Sequence, residues 1–416
     1  MRILFVAMPG SVHTARWINH ISDKGWDVYL FSSTPEPVHP NFRNLTIYSF
    51  SSFRPKELDP SVRIRGLLPL GPASEKPGHS IFQRLGRLSN TLNQTLRYPI
   101  FHRLGPSALA GVIRWLKPDI IHSMEIQHAG YLTLEARAKL KGRFPPWVVS
   151  DWGSDIYLFG RLSEHQEKIR AVMSACDYYH TECHRDVRLA KEFGFKGEVL
   201  PVLPVAGGFD IESIRKFRQP GPTSARRLIV LKGNQGWVYR ALVGLRAIEL
   251  CADLLLEKGY RVAIYLASPD TQMAAKLLTQ SSGLPIEIIP RSPHEEMLRL
   301  HGRARASIGL GISDALSTSA LEAVVMGSFP IQSNTSCLGE IVRDGESGIL
   351  VHPEDPEAVA AALRRAVTDD ELVDRAAEIN ARAAEEHLSH SVVRPQLLKT
   401  YESIAAKRRV LRGTSV

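Results

Sequence analysis

The apolar positions of this chain fall into short unbroken runs separated by amphipathic stretches. Ile3-Leu4-Phe5-Val6-Ala7 is apolar throughout and stops at Pro9-Gly10, the pattern of a strand buried on both faces. After the Met8-Pro9-Gly10-Ser11 loop, Trp17 and Ile21 share one face of a predicted helix. Gly25 closes that helix, and Trp26-Asp27-Val28-Tyr29-Leu30-Phe31 reads as a second strand. This βαβ opening predicts a parallel sheet. Asp119 to His122 and Trp147 to Ser150 are further strand candidates, with helical patterns between and after them. A Pro/Gly-rich stretch from Leu200 to Gly208 then interrupts the pattern, placing the end of a first domain near Pro204.

The second half restarts the same alternation. Arg227 to Leu231 reads as a strand and Arg240 to Lys258 as a helix; strands are expected at Arg261 to Ala267, Ile286 to Pro290 and Ala306 to Leu310. Two successive doubly wound α/β domains result, 1–204 and 205–385, and in such folds ligands bind beyond the carboxyl ends of the strands, here in a cleft between the domains. A final segment, 386–416, carries the helical face Leu397, Leu398, Tyr401 and Ile404. It is expected to cross back to the first domain, with Lys407, Arg408, Arg409 and Arg412 left to solvent.

Composition supports two globular cores. The 416 residues are 44% hydrophobic and 23% charged, a length suited to two domains of roughly 200 residues. Four scattered cysteines, Cys176, Cys183, Cys251 and Cys337, have no zinc-binding or disulfide spacing, which points to reduced thiols in the cytoplasm. The opening apolar run is too short for a signal peptide, and no later run approaches the ~18 residues of a membrane span. The net charge of +9 is uneven: residues 54–117 carry eleven Lys or Arg against three acidic residues. Within them Ile81, Phe82, Leu85, Leu88, Leu92 and Leu96 are interleaved with Arg84, Arg87 and Arg97. This is either a basic amphipathic helix resting on anionic lipid or an insertion docked on its own domain.

The richest chemical pattern is Gly311-Ile312-Ser313-Asp314-Ala315-Leu316-Ser317-Thr318-Ser319-Ala320-Leu321-Glu322-Ala323, ending at Gly327-Ser328-Phe329-Pro330. It reads as a loop running into a helix, whose first N–H groups around Ser317, Thr318 and Ser319 suit an anion such as a diphosphate. Glu322 is placed to grip ribose hydroxyls, and Asp314 to accept hydrogen bonds from a hexose. Ser319-x-x-Glu322 is equally a capping box that needs no ligand. No convincing Asp-x-Asp metal site is present, so no metal is expected.

With its Asp314, seven-residue gap, Glu322, Gly327 and Pro330, this segment resembles the retaining glycosyltransferases of the GT-B fold, the fourth family in the usual classification. Cys337 to Gly345 and Gly348 to Val351 resemble its continuation. The first acid of the family is usually Glu, one methylene longer than Asp314. The resemblance implies that Lys232 and Arg240, in Lys232-Gly233-Asn234-Gln235-Gly236-Trp237-Val238-Tyr239-Arg240, grip the leaving diphosphate, and that Arg291 passes near the base. Gly10 and His13, in a "His-Thr-x-Arg-Trp" opening, would lie on the phosphate and acceptor side. The family's strand-end histidine would be His122, with His128 as a competitor, and Trp152-Gly153-Ser154-Asp155-Ile156 resembles a signature of some members, with Asp155 on the acceptor side, capping the next helix or holding a loop.

The implied fold is GT-B, two facing Rossmann-like domains, with sugar transfer from a nucleoside diphosphate sugar to a hydroxyl acceptor. No cofactor and no nucleic acid are expected. The acceptor expected from the basic segment is a lipid-linked or cell-surface polysaccharide precursor, with the enzyme peripheral on the inner face of the membrane. A GT-B nucleotide-sugar epimerase and a non-catalytic sugar-nucleotide-binding protein are the alternatives.

Overall fold

The structure is a computed structural model that describes residues 1–50, 54–67 and 102–413, with side chains through 408. The stripe from Ile81 to Arg97 lies outside the described residues. The chain divides into two compact units, one of Met1–Gly207 with Arg394–Val416 and the other of Gly208–Val393. The first division falls three residues after the expected Pro204, the second inside the C-terminal segment expected from 386.

In the first unit the strands are β1 (Arg2–Ala7), β2 (Asp27–Ser32), β3 (Thr46–Ser49), β4 (Arg63–Gly66), β5 (Ile120–Met124), β6 (Trp147–Ser150), β7 (Tyr178–His180) and β8 (Glu198–Val199). They form a parallel sheet in the order β4-β3-β2-β1-β5-β6-β7-β8, so the order reverses between β1 and β5. β1 shows why its run is wholly apolar. Leu4 and Val6 enter one buried cluster, while Ile3, Phe5 and Ala7 enter the cluster on the opposite face.

Two parts of the basic segment 54–117 are integral to this unit rather than an insertion. β4 extends the sheet at its edge with Arg63 and Arg65, residues that discourage edge-to-edge pairing. The helix over 102–116 buries Leu109, Ala110, Ile113 and Leu116 in the core.

The second unit contains β9 (Leu228–Lys232), β10 (Arg261–Tyr265), β11 (Ile286–Ile289), β12 (Ala306–Gly309), β13 (Phe329–Ser333) and β14 (Ile349–Val351). They too run parallel, in the order β11-β10-β9-β12-β13-β14, reversing between β9 and β12. The helix expected from Arg240 to Lys258 is two helices, Ala241–Glu249 and Ala252–Glu257, broken at Leu250 and Cys251.

The C-terminal helix, His390–Gly413, buries Leu397, Tyr401, Ile404 and Ala405 against the β1 face that carries Ile3 and Phe5. Its basic end is not left wholly to solvent. Lys407 pairs with Glu198, and Arg408 donates to the carbonyl of Pro118 and meets Asp119.

Candidate functional site

Three segments at the carboxyl ends of the second sheet bring the candidate donor residues together. The loop after β9 begins Lys232-Gly233. A Cβ on Gly233 would lie 2.5 Å from Ile264 Cγ2 and 2.7 Å from Ala267 Cα, so only glycine lets the chain turn against the end of β10. This loop is tied to the one after β12: Arg240 N–H donates to Leu310 O at 3.1 Å and Ile312 N–H to Val238 O at 2.9 Å. The tie brings the Gly311 to Ser317 loop, including half-buried Asp314, beside the Lys232 loop.

Arg240, expected to grip the diphosphate, is tied here to its own loop and to Glu354. Its guanidinium donates to the carbonyls of Gly236, Trp237 and Tyr239 at 3.0 to 3.2 Å and pairs with Glu354 at 2.8 Å. These bonds close its own loop. Lys232 instead places its ammonium 4.6 Å from the centre of the Tyr239 ring.

The helix Thr318–Val325 begins after Ser317, whose side chain makes no cap bond to it. Ser317 Oγ and Ser319 Oγ are 3.0 Å apart, and Glu322 is only 7% exposed. Glu322 is joined instead to His294 Nε2, at 2.7 Å through Oε1. This bond reaches a different helix, His294–Arg303, which follows β11 and the exposed turn holding Arg291.

Behind the pair, Tyr265 at the end of β10 bonds Ser319, and burial drives its phenol well up. Beside Tyr265, His301 is fully buried, bonded to Ser307 Oγ at 2.9 Å and pushed down to about 4 by burial. Lys232, His294 and Glu322 all act electrostatically on His301, so the four groups lie in one neighbourhood of the unit.

In the first unit Gly10 lies in the loop after β1, and Ser11 caps the helix Val12–Asn19 by accepting from Thr14 N–H. His13 on that helix meets the Trp152 ring edge-on at 5.8 Å. His122, taken above as the sugar-contacting histidine, is 1% exposed. One ring nitrogen bonds Tyr401 Oη at 2.7 Å and the other Ser150 Oγ at 2.6 Å, and burial holds the ring neutral. It is a core residue with no nitrogen left for a ligand.

His128 occupies the accessible position instead. It belongs to a π-helical turn, Ile126–Gly130, entered through Glu125 at φ 81° and ψ 155°. This backbone conformation is sparsely populated by non-glycine residues and is found mostly where the surroundings enforce it. Glu125 is buried; its carboxylate accepts from His128 N–H at 2.7 Å and Ala129 N–H at 2.5 Å, and contacts His128 Nδ1 at 3.1 Å. The last contact raises the imidazole above its ordinary range. Asp155 holds the same turn from behind, accepting from Ile126 N–H at 3.0 Å. Burial, with Glu125 nearby, pushes its carboxyl up to about 8. Asp155 therefore holds a loop, one of the three readings its sequence offered.

Glu125 and His294 were not singled out by sequence. Twenty-seven residues separate His294 from Glu322, and no local spacing signals the pair.

Residues 246–383 match the family described as glycosyl transferases group 1, and residues 2–68 and 94–178 match glycosyl transferase 4-like. The chain belongs to the GT4-type glycosyltransferases. Its parallel sheets carry the GT-B fold of that family. Sucrose-phosphate synthase from Thermosynechococcus elongatus superposes over 98% of this chain and 100% of its own, with TM-score 0.68 and 14% identity. The Anabaena protein HepE in complex with UDP and glucose superposes over 97% and 100%, with TM-score 0.61 and 14% identity. At such identity the likeness is one of fold.

Among curated relatives, a glycogen synthase of Mycobacterium tuberculosis is 38% identical over 96 residues, 23% of this chain and 22% of its own length. A D-inositol 3-phosphate glycosyltransferase of Geodermatophilus obscurus is 32% identical over 123 residues, 29% and 27% of the two lengths. The match spans about a quarter of these relatives. In this GT4-type chain Arg291, His294, Asp314 and Glu322 all fall within the group 1 match, whereas Lys232 and Arg240 precede it.

Proposed function

We propose that the protein transfers a hexose-type sugar from a nucleoside diphosphate sugar to a hydroxyl acceptor, with retention at the anomeric carbon. The observation that carries this reading is the state of Glu322. A carboxylate buried in the second turn of a helix and held from a second helix by His294 is suited to gripping a vicinal diol. The N–H groups at the start of Thr318–Val325 and the Lys232 ammonium supply positive charge for the diphosphate, without calling for a metal. Asp314 orients the hexose from the neighbouring loop. Arg240 serves by fixing the Lys232 loop rather than by touching the diphosphate.

In the reaction the anomeric C–O bond to the diphosphate breaks, the leaving phosphate keeps the electron pair, and the acceptor oxygen bonds on the same face. The acceptor proton passes to the departing phosphate. UDP-glucose, bound by HepE in a further structure, is the first donor to try. The proposed acceptor is a lipid-linked or cell-surface polysaccharide precursor reached at the cytoplasmic face of a membrane.

Incubation with labelled nucleotide sugars and an acceptor panel tests the reading, and the anomeric configuration of the product is read by NMR. Transfer with retention is expected. A rearranged donor would identify an epimerase instead, and binding without product a non-catalytic protein. Lys232→Ala should lower kcat about 100- to 1000-fold, the usual cost of losing a preorganised charge at a leaving group, with an unchanged circular dichroism spectrum. A near-normal rate would remove Lys232 from the site.

A further inference from the structure

We infer that His294 is a positioning residue for Glu322, and that through it the chain selects ribonucleotides over deoxyribonucleotides. The inference rests on the nucleotide-sugar reading above and assigns a role to a residue outside its transfer chemistry.

Glu322 leaves its helix as a flexible side chain whose terminal torsion is broad, so its carboxylate plane is not set by the backbone. The His294 Nε2 contact at 2.7 Å fixes one oxygen, Oε1, and with it the orientation of the carboxylate. Both ends of this contact are anchored. Glu322 is 7% exposed, in a helix whose Leu321, Ala323 and Val324 are fully buried. His294 begins the helix His294–Arg303, which is held in place by buried Leu298, Leu300 and His301, the last bonded to Ser307.

The imidazole itself is partly open to solvent, with its side chain 42% exposed against 9% for Glu322. It therefore bridges the turn carrying Arg291 and the buried carboxylate. The ring nitrogen thus meets the buried acid from the more exposed side, as a group that orients the carboxylate would. Two hydroxyls of a ribose meet a carboxylate in a bidentate fashion only when its plane is preset. Removing one hydroxyl then leaves a buried acceptor unpaired, which is how a built polar site rejects an analogue that lacks a group.

The experiment measures binding of UDP, GDP and ADP and of their 2′-deoxy counterparts to the full chain by isothermal calorimetry. The wild type is compared with His294→Ala, His294→Gln and Glu322→Ala. For the nucleotide that binds, the wild type should prefer the ribo form about tenfold or more, as expected for a hydrogen bond to a charged group. His294→Ala should bring that preference to within about threefold, as should Glu322→Ala. His294→Gln, which keeps an N–H donor, should restore most of it.

A merely structural role would weaken both forms equally and leave the ratio intact. A wild-type preference that persists in His294→Ala overturns the inference while leaving the glycosyltransferase reading in place. A wild type that binds none of the three nucleotides overturns that reading, and this inference with it.

Discussion

Asp155 shows how burial decides what a titratable residue does. Its carboxyl, pushed up to about 8 by burial and by the neighbouring Glu125, holds a proton in the folded chain that an unfolded carboxyl of pKa about 4 gives up. The folded state thus binds the extra proton, and the associated stability is complete below about pH 4 and lost as pH rises through 8. Asp155→Asn keeps an oxygen for the Ile126 N–H and cannot ionise. Its melting temperature should match the wild type near pH 4.5 and exceed it increasingly toward pH 8.5. A difference that stays constant across this range would show that Asp155 does not titrate there.

Burial also explains which single residues could be read from sequence. Glu322 stood out because a helix start with serines and a Glu has few uses, yet capping and ligand grip share that spacing. The structure separates them by placing the N-cap at Ser317, so that Ser319 is already inside the helix. His122 and His128 look alike as letters; the first is locked between Tyr401 and Ser150, the second lies outside on a strained turn. Tyr401, which decides the matter, is 279 positions from His122.

Among the elements, the strands with unbroken apolar runs were the legible ones, while β13, buried throughout, was masked by its Pro330, Gln332 and Ser333. β1, β5, β6, β9 and β12 read as apolar runs because helices cover both sides of a parallel sheet. β3 and β4 escaped notice: Thr46–Ser49 and Arg63–Gly66 are short, half-polar and at or near the sheet edge, where burial asks less of the sequence. The C-terminal helix was legible as an apolar face, but its hydrogen bonds were not. Tyr401 Oη accepts from Trp17 Nε1 at 2.9 Å and meets His122 Nδ1 at 2.7 Å, joining three elements inside the first core. Tyr401→Phe would leave the buried indole N–H and an imidazole nitrogen without this partner. Each orphaned group costs about 1–3 kcal/mol, so chemical denaturation should show a clear loss of stability with the spectrum of the folded state retained. Equal stability of the two proteins would mean that the hydroxyl is not a bridging group.

For the molecule as a whole, charge is the property most open to test. The excess of basic residues over 54–117 includes the edge-strand Arg63 and Arg65, and the Arg65 guanidinium lies 5.7 Å from the centre of the Trp115 ring. Trp115 is 62% exposed and Leu104 43%, an aromatic and apolar fringe beside cations that suits the headgroup layer of an anionic bilayer. No helix among the described residues is long and apolar enough to cross a membrane, so such contact would lie at the surface. Sedimentation with vesicles containing about one-third phosphatidylserine should carry the protein down at low salt and release it at about 0.5 M salt, where screening is short-ranged. Protein left in the supernatant at low salt would rule the contact out.

The first unit is assembled from both ends of the chain, since residues 394–416 return to it after the whole second unit has been traversed. This ordering has a consequence for synthesis. A ribosome delivers Ile3, Phe5 and Trp17 long before Leu397, Tyr401 and Ile404, the residues that seal their face of the sheet. During translation the second unit can close on its own contiguous segment, while the earlier-made sheet waits with one apolar side unsealed until residues 394–416 are made. Nascent chains stalled before residue 394 should therefore be the species that chaperones capture and proteases cut, and the cut should fall in the half made first.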